Sequence, residues 1–462
     1  MTSLSSNAGA RQALQYCIAN SRRHDEAARL ALLARRDEAA LQEADAWDHL
    51  RAAGNPAAAQ LFGVVLSAKA CFDVAGWTTH AGSRVLADDP PARRDAPMVA
   101  RLRQAGCLLR AQTNMTEFAY GALGLNPWYG TPRTPLATDA DRVAGGSSSG
   151  AAVATALGMA HLAVCSDTSG SARIPAAFCG VVGFKPSRAR YPAEGMLHLS
   201  SSFDVPGLMA DSAALCRRAD RALAPVDAHR PVPPGQSLHG LRLVVPEQWL
   251  ADTLDAPVAA AFEAWLDQLA RAGAQIRTRP LPMLAEAGRT ASEGGIIAAE
   301  AYLLHAARLA DHADRYDARV GPRILSGADV RAHAYALAQA RLAELARDYD
   351  AAMAQADAVV TPAVPMLPPA IESLRHADAY AAANRRAFQL TEFANRLDLP
   401  SITLPCGGAP RLPVGLMFTG RRARDGALLA LAERVELALA GDAADRIPAA
   451  RPIPPVPPEV HP

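Results

Sequence analysis

The stretch RVAGGSSSGAAVATALGMAHLAVCSDTSGSARIPA, residues 142–176, is the part of the chain from which the fold is inferred. It opens with a loop of two glycines and three serines, and the alanine-rich segment that follows predicts a helix. A short apolar run, residues 161–166, predicts a strand, and a second glycine–serine loop comes after it. We therefore expect two polar loops at the ends of one helix–strand unit, with Ser147 in the first loop and Ser171 in the second.

Predicted strands and helices alternate on both sides of this stretch, which favours an α/β fold. Residues 9–54 predict helix throughout, because they are rich in alanine, leucine, glutamate and arginine and contain no proline. Residues 95–106 predict a helix with Asp95 as its N-cap and Pro97 in its first turn. The other predicted strands are 61–71, 107–111, 181–186, 241–245, 358–361, 399–406 and 413–419, and the other predicted helices are 149–157, 256–272, most of 297–356, and 425–440.

Charge and cysteine content argue against several classes of protein. The 462-residue chain has 47 basic and 46 acidic side chains, so no electrostatic attraction to nucleic acid or to an anionic membrane is expected. The seven cysteines form no C-x-x-C pair, so neither a disulfide framework nor a cysteine zinc site is predicted. The N-terminus has no apolar signal segment, and the most apolar run, residues 151–165, is too short to cross a bilayer. We therefore expect a cytoplasmic protein that binds neither nucleic acid nor membrane.

Lysine is almost absent from the chain. Of the 47 basic residues, only Lys69 and Lys185 are lysines. Arginine can replace lysine wherever only a positive charge is needed, but it cannot release its proton, whereas a buried lysine can. Lys69 lies in the apolar run at residues 61–71, where a lone ammonium is costly unless it is neutral or well hydrogen-bonded. Lys69 is therefore a candidate base, and the alternatives are that the two lysines survived by chance or that Lys185 is held by packing.

The motifs of several common catalytic sites are missing from the sequence. It contains no H-E-x-x-H zinc motif, no P-loop and no Rossmann glycine motif, so no metal and no cofactor are expected. Residues 146–150, GSSSG, match the G-x-S-x-G nucleophile elbow with Ser148 as the nucleophile. That elbow directly follows a strand, whereas here a loop rich in proline and aspartate precedes it. A hydrolase triad centred on Ser148 is therefore disfavoured.

The second glycine–serine loop, DTSGS at residues 167–171, has the composition of an anion-binding loop. Consecutive small residues leave backbone N–H groups free to converge on an anion, as an oxyanion hole requires. A serine nucleophile also needs a base, and no histidine is suggestively placed in the sequence. Lys69 could serve as that base if its apolar surroundings keep it neutral near pH 7. On residue type and spacing alone, ordinary turns remain the alternative for both loops.

Two motifs, GGSSSG at residues 145–150 and SDTSGSARIPAAFCGVVGFKPS at residues 166–187, closely resemble the signature of the amidase signature family. The 24 positions from Ser147 to Ser171 match the spacing in that family. The resemblance extends over residues 35–220 and 355–440, whereas residues 225–350 cannot be placed residue by residue. Local runs are also similar to members of the carboxybiuret-hydrolase type and of the glutamyl-tRNA amidotransferase A-subunit type.

The resemblance implies a Lys–Ser–Ser catalytic triad. Lys69 would be the neutral base and Ser171 the nucleophile. Ser147 would relay protons between them, after a cis peptide bond that follows Gly146. The oxyanion would be stabilised by the backbone N–H groups of Thr168, Ser169, Gly170 and Ser171.

The resemblance also implies residues that support the site. Asp167 and Arg173 are expected to brace the oxyanion loop rather than react. The substrate pocket is expected to include Met115, Tyr120 and Ser148. The family usually has glycine where this chain has Ser169, which predicts a change in the flexibility of the loop.

The implied fold is one large α/β domain, residues 1–445, with a central mixed β-sheet covered by helices on both faces. Residues 446–462 are proline-rich and are expected to be a disordered tail. The expected reaction is hydrolysis of a carboxylic or urea-like amide to an acid plus ammonia or an amine. The alternatives are the glutaminase subunit of a tRNA-dependent amidotransferase, which passes ammonia to a partner, and a catalytically silent scaffold. A small-molecule amide is the expected binding partner, and a homodimer is the expected assembly if the chain associates.

Overall fold

The computed structural model describes residues 9–54, 60–224, 237–247, 250, 253–406 and 413–439. The predicted tail at residues 446–462 lies outside them. Within these ranges eleven strands join into one sheet: β1 Leu32–Arg35, β2 Val65–Lys69, β3 Leu108–Thr113, β4 Leu162–Asp167, β5 Val182–Lys185, β6 Val205–Ala210, β7 Arg242–Pro246, β8 Gln275–Arg279, β9 Ala358–Pro362, β10 Ser401–Cys406 and β11 Val414–Thr419.

The sheet is mixed, as the resemblance implies. Its strand order is β1-β3-β2-β4-β6-β5-β10-β11-β9-β7-β8. Strand β2 is parallel to both of its neighbours, β3 and β4, and β7 is parallel to β8 and β9. From β4 to β9, each neighbouring pair in the middle of the sheet is antiparallel. The predicted α/β class and the single mixed sheet are therefore confirmed.

Helices pack on both faces of the sheet. Leu416 and Phe418 of β11 lie in one apolar cluster with Leu428, whereas Met417 lies in another with Phe178. Because successive side chains of a strand point to opposite faces, each face has its own helical cover. The helices are α1 Ala10–Arg23, α2 Asp25–Ala31, α3 Asp37–Ala52, α4 Pro97–Gln104, α5 Ser149–Ala156, α6 Arg173–Cys179, α7 Ala213–Leu223, α8 Ala256–Arg271, α9 Pro282–Glu293, α10 Ile296–His312, α11 Gly321–Leu325, α12 Ala332–Ala352, α13 Ala377–Phe388, α14 Phe393–Arg396 and α15 Asp425–Ala438.

Two local predictions are wrong. The segment 9–54 is not helical throughout, because β1 interrupts it and pairs antiparallel with β3. Hydrogen bonding along the sheet edge outweighs the good helix propensity of the sequence LLAR. Asp95 does not cap α4, which begins at Pro97 without a side-chain cap. Its carboxylate instead pairs with Arg103 in the last turn of the same helix, at 2.5 Å.

The carboxyl ends of β2 and β4 position the site. These strands are parallel neighbours, so both end at the same edge of the sheet, β2 with Lys69 and β4 with Ser166 and Asp167. The second glycine–serine loop leaves β4 at this edge. Helix α5, which follows the first loop, packs against β2 and β4. Both loops therefore come together where Lys69 ends its strand.

Candidate active site

Lys69 lies in the interior of the protein between two serine hydroxyl groups. It is fully buried, and its Nζ is 2.7 Å from Ser147 Oγ and 2.7 Å from Ser166 Oγ. Burial lowers the pKa of Lys69, because the ammonium form loses its hydration there. Nearby acidic groups, including Asp167 and Asp204, oppose this shift. The site therefore favours the neutral amine more than water does.

Ser166 is a member of the site that the sequence does not reveal. A neutral lysine has two N–H groups and one lone pair, so it can donate to one hydroxyl and accept from another. With Ser166 Oγ as the acceptor, the lone pair of Lys69 can point towards the hydroxyl of Ser147. The signal for Ser166 is its place at the end of the strand parallel to the lysine strand. That signal is readable only once the strand pairing is known.

The two serine loops are tied together by backbone hydrogen bonds. The peptide bond between Gly146 and Ser147 is cis, as the resemblance implies. Ser148 N donates to Ser171 O at 3.2 Å, so the relay loop and the nucleophile loop are in direct contact. The hydroxyl of Ser171 is buried and has no hydrogen-bond partner in the described part of the chain. Of the two hydroxyl groups in the predicted triad, that of Ser147 is paired with Lys69, and that of Ser171 has no partner within the described ranges.

The structure narrows the set of predicted oxyanion donors. Gly170 N donates to Asp167 Oδ1 at 2.8 Å, so this N–H is already occupied. For the N–H groups of Thr168, Ser169 and Ser171, no acceptor is found among the residues that the structure describes. These three groups are therefore the donors available to an oxyanion.

Ser169, the departure from the family pattern, is held in place by two neighbouring side chains. Its carbonyl accepts a hydrogen bond from Thr391 Oγ1 at 2.6 Å, and its hydroxyl accepts one from Arg396 at 2.8 Å. Arg396 also donates to Thr168 O at 3.0 Å. A Cβ at Gly170, where φ is +136°, would collide with Thr391 Oγ1, so only glycine fits there. These contacts attach the loop to the side chains of Thr391 and Arg396.

A buried ion pair lies under the oxyanion loop. Arg173 binds Asp167 through Nη2 at 2.9 Å and through Nε at 3.1 Å, and neither side chain is exposed. Burial alone would raise the pKa of Asp167, but the Arg173 guanidinium lowers it well below its usual range. Asp167 also accepts from the main-chain N–H of Ala172. The pair therefore fixes the backbone on both sides of Ser171.

Asp167→Asn is expected to destabilise the protein by about 3–5 kcal/mol, because it leaves the buried guanidinium of Arg173 unpaired. The lowered pKa means that the ionised Asp167 stabilises the fold above about pH 4 and that this contribution is lost as the pH falls further. Denaturant unfolding at pH 7 measures the loss. Glu286→Gln, which breaks an exposed pair with Arg341, is the matched control and should cost no more than about 1 kcal/mol. Equal costs for the two variants would contradict the prediction.

The segment 116–124 forms one wall beside the serines. Thr116 N donates to Ser147 O at 3.0 Å, and Gly146 N donates to Ala122 O at 2.6 Å. Tyr120, in the middle of this segment, is nearly buried. These contacts place Tyr120 close to the cis peptide.

The other two predicted pocket residues face the protein interior. Met115 is fully buried, and its carbonyl accepts a hydrogen bond from Asn126. The Ser148 hydroxyl donates to Ser166 O at 3.4 Å, so it is directed at a strand backbone. Among the described residues, no group of three or more His, Cys, Asp and Glu side chains is arranged to hold a metal ion.

Arg323 is the second residue near the site that the sequence does not reveal. Its Nη1 donates to Tyr120 O at 2.7 Å, and its guanidinium carbon lies 3.9 Å from the centre of the Tyr120 ring. Arg323 is half-buried and forms no ion pair within the described ranges. Within those ranges, a positive charge without a counter-ion therefore lies on the wall beside the candidate serines.

A sequence model of the amidase family matches residues 12–429. The chain therefore belongs to the amidase family and is an amide-cleaving hydrolase. It is 34% identical over 378 residues to a 2-amino-5-chloromuconic acid deaminase of Comamonas testosteroni, with 81% of each chain covered. It is 38% identical to AtzE, a component of the 1-carboxybiuret hydrolase of a Pseudomonas strain, over 58% of this chain and 60% of that one.

Comparison with solved structures shows that related proteins share this fold. A chain of an inhibitor-bound vestigial protein complex, described as revealing the evolutionary origins of an s-triazine catabolic enzyme, superposes with a TM-score of 0.84 at 29% identity, covering 94% of this chain and 96% of that one. A crystal structure described as an amidase gives a TM-score of 0.81 at 32% identity, covering 93% and 96%. In sequence, a glutamyl-tRNA(Gln) amidotransferase subunit from Nitrosococcus oceani is 31% identical over 89% of this chain and 90% of its own. Similarity thus extends both to relatives named as amidase, deaminase or hydrolase and to an amidotransferase subunit.

Proposed function

We propose that this chain cleaves its amide substrate in two steps, through an ester formed at Ser171. Lys69 accepts the proton of Ser147, and Ser147 accepts the proton of Ser171, whose Oγ attacks the amide carbonyl carbon. The negative oxygen that develops is stabilised by the free N–H groups of Thr168, Ser169 and Ser171. The relayed proton passes to the leaving nitrogen as the C–N bond breaks, which releases ammonia or an amine.

The second step restores the enzyme. Water attacks the ester carbonyl and gives one proton to the relay, and this proton returns to Ser171 as the C–O bond breaks. The hydrogen bond between Lys69 and Ser147 supports this proposal. Catalytic hydrogen bonds often tighten only when substrate is bound, so the unpartnered hydroxyl of Ser171 is compatible with the relay.

The substrate is proposed to be a small linear amide that carries a carboxylate. The observation behind this proposal is the guanidinium of Arg323, which lacks a counter-ion within the described ranges and lies on the Tyr120 wall beside the serines. A planar guanidinium pairs with carboxylates in a bidentate geometry, and the guanidinium of Arg323 lies against the ring of Tyr120. Two relatives named above are associated with acids by name, a muconic acid deaminase and a carboxybiuret hydrolase.

Arg323→Met tests the substrate class. The probes are pairs of primary amides of equal length, malonamate with propionamide, succinamate with butyramide and glutaramate with valeramide, and the readout is ammonia release. For the acid of the best pair, KM should rise about 100-fold, because one charged hydrogen-bond pair is lost. The KM of the neutral amide should be unchanged. Arg308→Met, which removes an arginine paired with Asp89 on the surface, is the control. Equal effects of Arg323→Met on both amides would contradict the proposal.

The glutaminase alternative is tested by the same assay. Glutamine joins the panel, and ammonia release by the purified chain alone separates a stand-alone hydrolase from a subunit that needs a partner. Inactivity on every amide, relieved by a partner protein, would favour the amidotransferase type. The cytoplasmic location, the absence of nucleic-acid and membrane partners and the homodimer stay predictions. None of the described helices is both long and apolar enough to span a membrane.

A further inference from the structure

Glu117 is a buried carboxylate that joins three separate segments of the chain next to the substrate wall. It begins a short 3₁₀ turn, Glu117–Ala119, which leads directly into Tyr120, and it has no solvent exposure. Its Oε1 accepts hydrogen bonds from Ser83 Oγ at 2.8 Å and from Trp128 Nε1 at 2.8 Å. Its Oε2 accepts one from the main-chain N–H of Asp317 at 2.7 Å.

The third of these hydrogen bonds leads to Arg323. The carbonyl of Asp317 accepts from Val320 N at 2.8 Å and from Gly321 N at 2.9 Å, and these bonds form the turn that starts α11. Arg323 follows in the first turn of that short helix. The segment 317–323 is therefore attached to the wall at both ends, through Glu117 at its start and through the Tyr120 carbonyl at its end.

The residue type at position 117 matters because all three of its partners act as donors. An ionised carboxylate accepts from every side, whereas an amide presents one oxygen and one NH₂ group. Burial raises the pKa of Glu117 to about 7, and the bonds from Ser83, Asp317 N and Trp128 oppose this shift. Retaining a costly buried carboxylate is consistent with a position that needs acceptors on both oxygens.

We propose that Glu117 is a positioning residue for substrate specificity, which holds the segment 317–323 so that Arg323 lies over Tyr120 and meets the carboxylate of the substrate. This inference rests on the proposed function of Arg323. Glu117 itself touches neither the reacting serines nor, in this scheme, the substrate. Its effect should therefore appear in the binding of acidic amides and not in the chemistry of amide cleavage.

The test compares Glu117→Gln with the unchanged protein on the acid and neutral amides of the best pair. The KM of the acid should rise about tenfold, since the charge-assisted anchor of the segment is lost, while kcat and the KM of the neutral amide stay within about twofold. Trp128→Phe is the matched control, because it removes a donor from Oε1 and leaves the bond from Asp317 N to Oε2 in place. It should change the preference for the acid less than twofold.

The double variant Arg323→Met/Glu117→Gln shows whether the two residues act through one another. If they do, adding Glu117→Gln to Arg323→Met raises the KM of the acid no further, a coupling that a double-mutant cycle measures. A purely structural role would instead lower kcat on both amides or lower the unfolding midpoint with no change in preference. Should Glu117→Gln fail to fold, Glu117→Asp keeps the charge but is one methylene shorter, and the same loss of preference for the acid is expected.

The outcomes separate the two proposals. If Arg323→Met lowers the preference for the acid and Glu117→Gln does not, the role of Glu117 is overturned and that of Arg323 stands. If Arg323→Met has no effect on the preference, the carboxylate site and the role of Glu117 are both overturned. Additive effects in the double variant would also overturn the inference, because Glu117 would then act independently of Arg323.

Discussion

Lys69→Arg should be as inactive as Lys69→Ala, with kcat lowered about 10³–10⁴-fold in both variants. Arginine stays protonated, so its guanidinium cannot give up a proton and cannot accept one from Ser147. Lys69 is fully buried, and its Nζ lies 2.7 Å from each of two serine hydroxyl groups. Steady-state ammonia release on the best amide measures the loss.

The control for Lys69→Arg is Lys185→Arg, at the only other lysine of the chain. Lys185 is also fully buried, and its Nζ donates to Pro186 O at 2.7 Å, so both variants insert a larger cation into the interior. Lys185→Arg should lower stability and keep kcat within about tenfold, because Lys185 does not contact the serines. A Lys69→Arg enzyme with a tenth or more of the original activity would rule out the neutral-lysine mechanism.

The pH profile gives an independent readout of Lys69. Only the unprotonated amine can act as the base, so kcat/KM should fall as the pH drops through the pKa of Lys69. Burial lowers that pKa below 10.5, so the acidic limb should lie below the range of an exposed lysine. The same shift means that the folded state binds this proton less tightly than the unfolded chain. The contribution of Lys69 to stability therefore grows as the pH rises towards 10.5.

Ser171→Ala should abolish amide hydrolysis, with kcat lowered about 10⁶-fold, whereas Ser148→Ala should keep kcat within about tenfold. The hydroxyl of Ser171 is buried and has no partner among the described residues, and it belongs to the loop whose N–H groups at Thr168 and Ser169 are also unoccupied there. The hydroxyl of Ser148, the nucleophile of the misleading G-x-S-x-G pattern, only donates to the carbonyl of Ser166 at 3.4 Å. The two variants remove the same group from neighbouring loops, so each serves as the control for the other.

Trapping of the ester completes this test. Tandem mass spectrometry of the protein quenched during turnover should locate the acyl group on Ser171 itself. The mass increment should be absent in Ser171→Ala and present in Ser148→Ala. An acyl group on Ser148 would contradict the assignment and restore the elbow interpretation.

The sequence singled out the candidate reactive residues for definite physical reasons. A lysine inside a buried strand is costly, so Lys69 stood out in a chain that has one other lysine. Loops of small residues expose backbone N–H groups, so the segments around Ser147 and Ser171 could be chosen before any pairing was known. The structure brings Lys69 and Ser147 to hydrogen-bonding distance and places the two loops in contact.

Other features depended on contacts that the sequence does not record. Ser166 joins the site because β4 is the parallel neighbour of β2, and Arg323 joins it from a helix about 200 residues after Tyr120. Strand β6 was missed because Pro206 and Gly207 disfavour strands, yet it lies fully buried between β4 and β5. Its pairing partners on both sides outweigh its poor local propensity. Strand β8 was missed because it lies at the sheet edge and alternates weakly in polarity.

The reactive groups and the guanidinium at position 323 come from different parts of the chain. In the proposed mechanism the groups that move protons lie between Lys69 and Ser171, whereas the guanidinium lies in a helix of five residues, and the wall holds the segment 317–323 at two points. A substitution in that short helix can therefore change which amide binds without altering Lys69, Ser147 or Ser171. In evolutionary terms, new substrates can be acquired here by small steps, each of which leaves a working catalyst. A saturation library restricted to residues 317–325 is the corresponding choice for changing the specificity of this enzyme in the laboratory.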